Sequence, residues 1–321
     1  MSVTFAGSPD RAEARLVPEA GFELDTFRIS GLPRKPTPAL ARALGQAMRA
    51  PRACRKILRE RRPDVVLGGG GYVAGPMVYA ASRLAIPSAL TEADAHLGLA
   101  NRLAAPFAER VYLAYPLEGR DPPKYRVTGR PIPARNRATS RAAGRKVFDL
   151  PSRARVVLVV GGSQGAANLN DVVVDSFGAT GPAILHLAGE REYERLRGRV
   201  TREDYRLLPF TDEFGAALGA ADLVLARAGG TVWEIAAAGR AAILVPSPFV
   251  TADHQTKNAR YFERAGGAIA LPESELGRVP ELVRSLAGDP DRLATMGDAM
   301  QRVAKPHAAE EIAQGLIALA S

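Results

Sequence analysis

Short apolar runs rich in Val, Ile and Leu alternate with alanine-rich stretches along most of this 321-residue chain. Such runs are typical of strands buried on both faces of a parallel sheet, and the stretches between them have the length of helices. The alternation predicts a doubly wound α/β fold. The predicted strands are 65–67, 87–90, 155–160, 183–187, 223–226 and 242–245, and the predicted helices include 75–85, 231–238 and 280–286.

Length and composition fit a globular protein of about two domains. The alternation pauses in a basic stretch bracketed by Pro131, Pro133 and Pro151, and we place the domain junction there, with the first domain over residues 1–133. A single cysteine, Cys54, excludes an internal disulfide framework. The longest uncharged run, 65–82, holds four consecutive glycines, which predicts loop and helix rather than a membrane span.

Positive charge is concentrated in one segment. Residues 28–62, from Arg28 to Arg62, contain eleven Lys or Arg and one Glu, a local charge of +10 in a chain of net charge +9. Leu40, Leu44 and Met48 recur there at helical spacing until Pro51 interrupts the pattern. An anionic membrane surface would bind such a segment, whereas the alternative is an ordinary solvated helix whose leucines face the core. No recognised nucleic-acid reader motif accompanies the charge, so no nucleic-acid partner is expected.

A glycine-rich loop, residues 161–166, follows the predicted strand 155–160 and precedes a helical stretch from Ala167. Glycines permit close backbone approach, and the N-terminus of a helix presents free N–H groups to an anion. The loop has neither the lysine of a P-loop nor the spacing of a dinucleotide fingerprint. A nucleotide phosphate or a purely structural turn remain the two interpretations. The candidate phosphate-binding residues are Gly162, Ser163, Gln164 and Gly165.

A second glycine loop follows the predicted strand 223–226, with Arg227, Gly230, Thr231 and Glu234 as its candidate substrate-binding residues. Two such loops at the carboxyl edge of one parallel sheet would face each other across a crevice, where these folds bind ligands. Glu234 lies in the first helical turn and is placed to accept hydrogen bonds from ribose hydroxyls. The alternative is a carboxylate that only complements the helix dipole.

A polar helical turn follows the next predicted strand. If a helix starts with Asp253 as its N-cap, His254, Gln255 and Asn258 share one face and are candidates for binding sugar hydroxyls. A polar first turn without a ligand is the alternative. The chain's Asp-x-Asp sequence, residues 289–291, lies in a predicted helix-start turn, so we expect no metal site there.

The first half carries its own candidate loops. Four glycines precede Tyr72, and Gly70, Gly71 and Tyr72 are candidates for binding an anionic substrate. The candidates for a general base, or for binding an acceptor hydroxyl, are Glu92, Asp94 and His96. A metal cluster is the less favoured interpretation of these three, because no further ligands flank them.

Taken in order, these motifs resemble those of the MurG family, the N-acetylglucosaminyltransferases that complete the lipid-linked peptidoglycan precursor. The resemblance runs from about Ser2 to the C-terminus, and several motifs agree in order and spacing. The matching stretches are 14–18, 30–32, 69–72, 98–103, 161–166, 227–234 and 253–258.

The resemblance implies a GT-B architecture, in which two Rossmann-like, doubly wound domains face a cleft. It implies an inverting transfer of N-acetylglucosamine from UDP-N-acetylglucosamine to undecaprenyl-diphosphate-linked muramyl pentapeptide, without a metal or other cofactor. The enzyme would be peripheral at the cytoplasmic face of the bacterial cell membrane. The first domain would face the acceptor, residues 134–304 would bind the donor, and residues 305–321 would form a helix that returns to the first domain.

The resemblance also implies roles for single residues. Ser163 and Gln164 would hold the diphosphate and Glu234 the ribose. Gln255, with its neighbours His254 and Asn258, would hold the N-acetylglucosamine.

The chain departs from the family pattern at several positions. The family opens with a strand, a Gly-Gly-Thr-Gly-Gly-His loop and a helix, whereas residues 3–7 here match its second strand. We therefore expect that unit and its proposed catalytic histidine to be absent, so that two strands of the first sheet lack the partner between them. Where the family has His-Glu-Gln-Asn, residues 91–94 are Thr-Glu-Ala-Asp. Where it has Gly-Asn-Pro-Val-Arg, residues 129–133 are Gly-Arg-Pro-Ile-Pro, and Phe249 stands where a histidine is usual. The alternatives are a related UDP-sugar:lipid transferase and a chain that only binds the UDP-sugar.

Overall fold

The structure is a computed structural model that describes residues 2–31, 37–161, 166–250 and 253–321. The chain forms two compact units, Met1–Thr128 with Glu310–Ser321, and Gly129–Ala309. The first unit thus ends five residues before the predicted junction at 133. The difference has a local cause, because the side chains that follow Gly129 pack on the second unit, as described below.

The first unit consists of short parallel strands and four helices that precede residue 128. Its strands are β1 (Thr4–Gly7), β2 (Glu23–Thr26), β3 (Val66–Gly68), β4 (Ser88–Glu92), β5 (Arg110–Leu113) and β6 (Tyr125–Val127). Its helices are α1 (Glu13–Glu19), α2 (Pro38–Arg61), α3 (Gly71–Ser82) and α4 (Leu99–Ala104). Helix α3 begins at Gly71, and the φ values of Gly70 and Gly71, 92° and 67°, are accessible to glycine at little cost.

The sheet of the first unit is in two pieces. Strands β1 and β2 form a parallel pair, and β3-β4-β5-β6 form a separate four-stranded parallel sheet. Among the described strands, β1 therefore pairs only with β2, and β3 pairs only with β4. This confirms the expectation that two strands of the first sheet would lack a partner between them.

Helix α2 spans 24 residues and runs through Pro51, so the prediction that Pro51 interrupts it was wrong. Its buried face is formed by Ala43, Ala50, Cys54 and Leu58 rather than by the predicted leucine stripe. Part of this face packs with Met77 and the alanines of α3 in one apolar cluster. Burial along the whole length offsets the backbone hydrogen bond that Pro51 cannot donate.

The second unit is a six-stranded parallel sheet in the order β12-β11-β10-β7-β8-β9. Its strands are β7 (Val156–Val160), β8 (Ala183–Leu187), β9 (Tyr205–Leu208), β10 (Leu223–Arg227), β11 (Ala241–Val245) and β12 (Ala268–Ala270). Its helices are α5 (Arg141–Val147), α6 (Ala167–Phe177), α7 (Glu190–Leu196), α8 (Phe214–Ala220), α9 (Val232–Ala237), α10 (His254–Arg264), α11 (Val279–Ala287) and α12 (Pro290–Val303). Every residue of β7, β8 and β11 is buried, as their apolar sequences predict.

The strand order reverses direction between β7 and β10. The chain moves outward from β7 to β8 and β9, and then returns to place β10 on the other side of β7. The two strands are in register, with Leu223 opposite Val157 and Ala226 opposite Val160. The loops that follow them therefore leave the sheet side by side, at the switch point where doubly wound folds bind ligands.

The last helix, α13 (Ala308–Ala320), belongs for most of its length to the first unit. Its Ile312 and Leu316 pack with Ala89 of β4 and Tyr112 of β5 in one apolar cluster. In the part of the chain that the structure describes, no helix combines the length and the apolar character needed to cross a bilayer.

Candidate functional site

The carboxyl ends of β7 and β10 hold the two glycine loops singled out in the sequence. Strand β7 leads into Gly161, and the described chain resumes at Ala166, immediately before α6. The predicted phosphate-binding residues Gly162, Ser163, Gln164 and Gly165 lie outside the described residues. The second loop, residues 228–231, connects β10 to α9. The structure thus confirms that both loops start from neighbouring strand ends.

Glu234 is half-buried in the first turn of α9. The side-chain amide of Asn136 donates a hydrogen bond to its Oε1 at 2.6 Å, and within the described chain its Oε2 has no such partner. Burial raises the pKa of the Glu234 carboxyl, although the Asn136 hydrogen bond and the positive charge of Arg130 act in the opposite direction. One carboxylate oxygen is thus fixed by Asn136, and the other is open to a ligand.

Arg130 reaches the second glycine loop from the start of the second unit. Its guanidinium occupies the space that a Cβ atom on Gly230 would need. Glycine at position 230 is therefore what lets the cation lie against the backbone of the loop. Neither Arg130 nor Asn136 was among the predicted site residues. The available signal was the sequence of residues 129–133, where an arginine stands in the second position of the family motif.

Arg227 makes contacts inside the second unit. Its Nη1 lies 2.6 Å from Glu273 Oε2 and 3.3 Å from the carbonyl oxygen of Val245. The amide of Asn168 donates to the other oxygen of Glu273 at 2.9 Å. Burial would raise the pKa of Glu273, but the hydrogen bonds from Arg227 and Asn168 outweigh it, and the net shift is downward. This ion pair joins the end of β10 to the 3₁₀ segment Glu273–Arg278.

The polar face predicted around Asp253 is present in α10, but much of it is used internally. Asn258 is fully buried and donates to the carbonyl oxygen of Ala228 at 3.1 Å, which fixes α10 against the second glycine loop. Gln255 accepts a hydrogen bond from the backbone N–H of Ser247 through Oε1 at 2.9 Å. His254 is half-buried beside them.

The predicted N-cap bond of Asp253 to the helix backbone is not made. Asp253 is the N-cap residue of α10 and has φ 50°, but its carboxylate accepts a hydrogen bond from the hydroxyl of Thr256 at 2.6 Å instead. The left-handed backbone turns the carboxylate away from the N–H groups it would have capped. The predicted helix-start turn at residues 289–291 does form, since Asp289 accepts from the backbone N–H of Arg292 at 3.0 Å.

A cavity of ≈ 450 Å³ opens between α6, α10 and the segment that follows β12. Its polar lining includes Asn168, Thr256, Arg260 and Glu273. Phe249, which stands where the family has a histidine, lines it as well. The three predicted sugar-binding residues of α10 are not part of this lining.

A buried polar network lies between α6 and the sheet. Asn170 donates from its amide to the carbonyl oxygen of Ala188 at 3.0 Å, and its Oδ1 lies 3.0 Å from His186 Nε2. The hydroxyl of Tyr205 lies 2.8 Å from His186 Nδ1. Burial lowers the pKa of His186 to about 3, so the imidazole is neutral in the folded unit. No sequence pattern indicated this network, because His186 stands inside an otherwise apolar strand.

In the first unit, the loop after β4 is organised around Glu92. Its Oε2 accepts from the backbone N–H of Gly98 at 2.9 Å and from the side-chain amide of Asn101 at 2.9 Å. Its Oε1 accepts from the backbone N–H of Asp94 at 3.3 Å. Glu92 is buried, whereas Asp94 and His96 are half-buried on the same loop. Its contacts are those of a residue that orders the loop.

The same loop lies beside the glycines that precede α3. Asn101 also donates to the carbonyl oxygen of Thr91 at 2.9 Å, and a Cβ atom on Gly70 would lie 3.7 Å from the Asn101 amide nitrogen. Of the three predicted residues, Gly70 thus adjoins the loop that holds Asp94 and His96. Within the described ranges, no three His, Cys, Asp or Glu side chains come close enough together to hold a metal ion.

Two family models and several curated relatives match this chain. The Glycosyltransferase family 28 N-terminal domain matches residues 1–113, and the Glycosyltransferase family 28 C-terminal domain matches residues 156–312. A UDP-N-acetylglucosamine--N-acetylmuramyl-(pentapeptide) pyrophosphoryl-undecaprenol N-acetylglucosamine transferase of Halothermothrix orenii is 37% identical over 326 residues, which cover 95% of this chain and 88% of that protein. The Salinibacter ruber protein of the same name is 39% identical, over 99% of this chain and 88% of its own length.

The solved structures give the same result. The crystal structure of Acinetobacter baumannii MurG is similar with a TM-score of 0.78 at 26% identity, over 98% of this chain and 90% of that chain. The chain belongs to the MurG family of glycosyltransferases. The predicted family, the two-domain α/β architecture of GT-B type and the class of enzyme are thereby confirmed. Arg130 and Asn136 lie between the two stretches that the family models match.

Proposed function

We propose that this chain transfers N-acetylglucosamine from UDP-N-acetylglucosamine to the undecaprenyl-diphosphate-linked muramyl pentapeptide, with inversion at the anomeric carbon. The observation that carries the proposal is the pair of glycine loops at the neighbouring ends of β7 and β10, with the Glu234 carboxylate beside the second loop. The printed names of the relatives supply the donor and the acceptor.

Recognition of the donor is assigned to the second unit. The open oxygen of Glu234 accepts a hydrogen bond from a ribose hydroxyl, and a charged acceptor makes this bond stronger than a neutral one. The diphosphate is assigned to the first glycine loop through Ser163 and Gln164. Of the α10 residues, we assign the sugar to His254 and to the amide NH₂ of Gln255, because Asn258 is committed to the carbonyl oxygen of Ala228.

The reaction is a single displacement. The 4-hydroxyl oxygen of the acceptor forms a bond to the anomeric carbon while the bond from that carbon to the UDP oxygen breaks, and the electron pair leaves with UDP. Backbone N–H groups of the first glycine loop, residues 161–166, would stabilise the departing diphosphate. The hydroxyl proton passes to a base, for which Asp94 and His96 are the candidates. Glu92 is a positioning residue for their loop, because its oxygens already accept three hydrogen bonds.

Attachment to an anionic membrane surface is assigned to residues 28–62, at the cytoplasmic face. The leucine stripe of α2 points away from the buried face, since Leu44 is 46% exposed and Met48 is 74% exposed. The neighbouring Arg42 and Arg49 are also exposed. An outward apolar stripe flanked by cations suits the boundary between lipid head groups and acyl chains. This geometry argues against the alternative of a helix whose leucines face the core.

The donor assignment is tested by calorimetric titration of UDP-N-acetylglucosamine into the full chain and two variants. Glu234→Ala is expected to weaken binding by about 1–3 kcal/mol, because a ribose hydroxyl loses its charged acceptor. Glu281→Ala is the matched control, since Glu281 also lies in the first turn of a helix and is exposed. An equal dissociation constant for Glu234→Ala and the parent would show that Glu234 only complements its helix.

Turnover then separates the proposed reaction from its alternatives. UDP-N-acetylglucosamine, UDP-glucose and UDP-N-acetylgalactosamine are each supplied with the lipid-linked muramyl pentapeptide, and the glycosylated lipid is quantified. Preferential transfer of N-acetylglucosamine is the expected result. Preference for another donor would indicate a related transferase, and tight UDP binding without transfer would indicate a chain that only binds the nucleotide.

A further inference from the structure

Arg130 is half-buried and has no hydrogen-bond or ion-pair partner among the described residues of the second unit. Within the described chain its guanidinium makes no hydrogen bond and no ion pair, although other half-buried arginines of this unit, such as Arg227 and Arg202, are paired. The charge of Arg130 acts to lower the pKa of the Glu234 carboxyl, but the two side chains form no ion pair. Half-burial costs such a group part of its hydration, and that cost is usually offset by a partner.

The place that Arg130 occupies is specific. The guanidinium fills the volume of the absent Cβ of Gly230, so it lies against the backbone of the loop that follows β10. That loop starts beside the end of β7, at the switch point of the sheet. The planar fork of five N–H donors matches the oxygens of a phosphate group. The guanidinium N–H groups of Arg130, which have no acceptor within the described chain, therefore lie at the edge of the sheet where a nucleotide would bind.

The sequence around Arg130 differs from the family motif in the position of its arginine. The family motif Gly-Asn-Pro-Val-Arg ends in an arginine, whereas residues 129–133 end in Pro133 and carry their arginine in the second position. The arginine of this chain, Arg130, thus stands three residues before the position of the motif's arginine. The glycine at 230 is the matching feature, because a side chain there would exclude the guanidinium.

We propose that Arg130 binds the diphosphate of the nucleotide-sugar donor, and that Gly230 provides the space that lets its guanidinium reach it. This inference rests on the proposed function and adds to it a binding residue that the glycine loops alone do not supply. The same contact neutralises the charge that accumulates on the diphosphate as UDP leaves. Asn136 and Glu234 would then hold the ribose while Arg130 holds the adjoining phosphates.

The test measures UDP and uridine binding to the full chain by calorimetry. Arg130→Met keeps an unbranched, mostly apolar side chain and removes the guanidinium and its charge, whereas Arg130→Lys keeps the charge without the fork. We expect Arg130→Met to lose about 10- to 100-fold in UDP affinity while its uridine affinity changes less than about threefold, because only UDP carries the phosphates. Arg130→Lys should fall between the parent and Arg130→Met.

A double-mutant cycle tests the role of Gly230. Gly230→Ala is expected to displace the guanidinium and to lower UDP affinity in the parent, but to have little further effect when Arg130→Met is already present. If the two losses are additive, Gly230 does not act through Arg130, and this part of the inference is wrong.

The outcomes separate this inference from the proposed function. A parent chain that binds no UDP overturns the proposed function itself. A parent that binds UDP and an Arg130→Met variant that binds it equally well overturn only the assignment of Arg130. Tighter UDP binding by Arg130→Met would show that the arginine competes with the ligand for Glu234. An equal loss for uridine and UDP would show that Arg130 supports the loop rather than the phosphates.

Discussion

His186 makes the stability of the second unit depend on pH in a calculable way. The imidazole is fully buried between the side chains of Asn170 and Tyr205, 3.0 Å and 2.8 Å from its two ring nitrogens. Among the described residues no acidic side chain hydrogen-bonds the ring, so protonation would place an uncompensated charge in the core. Burial accordingly lowers the pKa of His186 from 6.5 to about 3.

The sign and size of the effect follow from linkage. Below pH 6.5 the unfolded chain takes up a proton on His186, whereas the folded unit does not until the pH approaches 3. The contribution of His186 to stability is therefore complete above pH 6.5 and is lost as the pH falls toward 3. At about 1.36 kcal/mol per pH unit, the free energy of unfolding should fall by about 2 kcal/mol between pH 7.5 and pH 5 on account of this residue alone.

The assay is urea denaturation followed by tryptophan fluorescence. Trp233 is the single tryptophan of the chain and is 1% exposed in the second unit, so its emission reports the unfolding of that unit. His186→Gln keeps a polar side chain between Asn170 and Tyr205 but cannot titrate. The other three histidines are common to both proteins, and their effect cancels in the comparison.

We expect the parent to lose about 2 kcal/mol more than His186→Gln when the pH is lowered from 7.5 to 5. The variant should be less stable than the parent at pH 7.5, because an amide does not reproduce both ring hydrogen bonds. Equal losses in the two proteins would refute the reasoning, since they would mean that His186 titrates alike in the folded and unfolded states.

Two further predictions concern the first unit. Replacing Leu44 and Met48 together by serine should reduce co-sedimentation with anionic vesicles about tenfold or more, because the outward apolar stripe of α2 would no longer enter the lipid boundary. Leu16→Ser, at a residue of α1 that is 49% exposed, is the control, and unchanged sedimentation of the double variant would contradict the assignment. In hydrogen exchange, the amides of β1 and β3 should exchange at least about tenfold faster than those of β7 and β10, since β1 and β3 each have one paired edge among the described strands. Equal protection would show that the divided sheet is as stable as the continuous one.

The four central strands of the second unit's sheet were predictable because they are buried on both faces, unlike the partly exposed edge strands β9 and β12, which were not predicted. Their sequences are continuous apolar runs, and the observed bounds of β7, β8, β10 and β11 lie within one residue of the predicted ones. The glycine loops after β7 and β10 were predictable for the same reason, since a parallel sheet brings the carboxyl ends of its strands to one edge. Local sequence was sufficient wherever burial alone decided the structure.

The orientation of α2 was not predictable from the same kind of pattern. Two apolar stripes are present, and the larger side chains, Leu44 and Met48, face outward while Ala43, Ala50 and Cys54 face the core. Three of the four buried residues of α2 are small, and the fourth, Leu58, belongs to the apolar cluster that α2 forms with α3. Large apolar side chains therefore indicated the wrong buried face of α2. The position of the neighbouring helix decides which face is buried.

The site itself shows why residue type is an incomplete guide to binding. Arg227 and Asn258 have the chemistry of ligand-binding residues, yet Nη1 of Arg227 already donates to Glu273 and the amide of Asn258 to the carbonyl oxygen of Ala228. A donor already bonded inside the protein must lose that bond before it can bind a ligand, so its net contribution to affinity is small. Arg130, which was not among the predicted site residues, lies against a glycine loop and makes no hydrogen bond or ion pair within the described chain. Binding at this edge of the sheet should therefore depend most on the polar groups whose hydrogen-bonding capacity the fold has left unused.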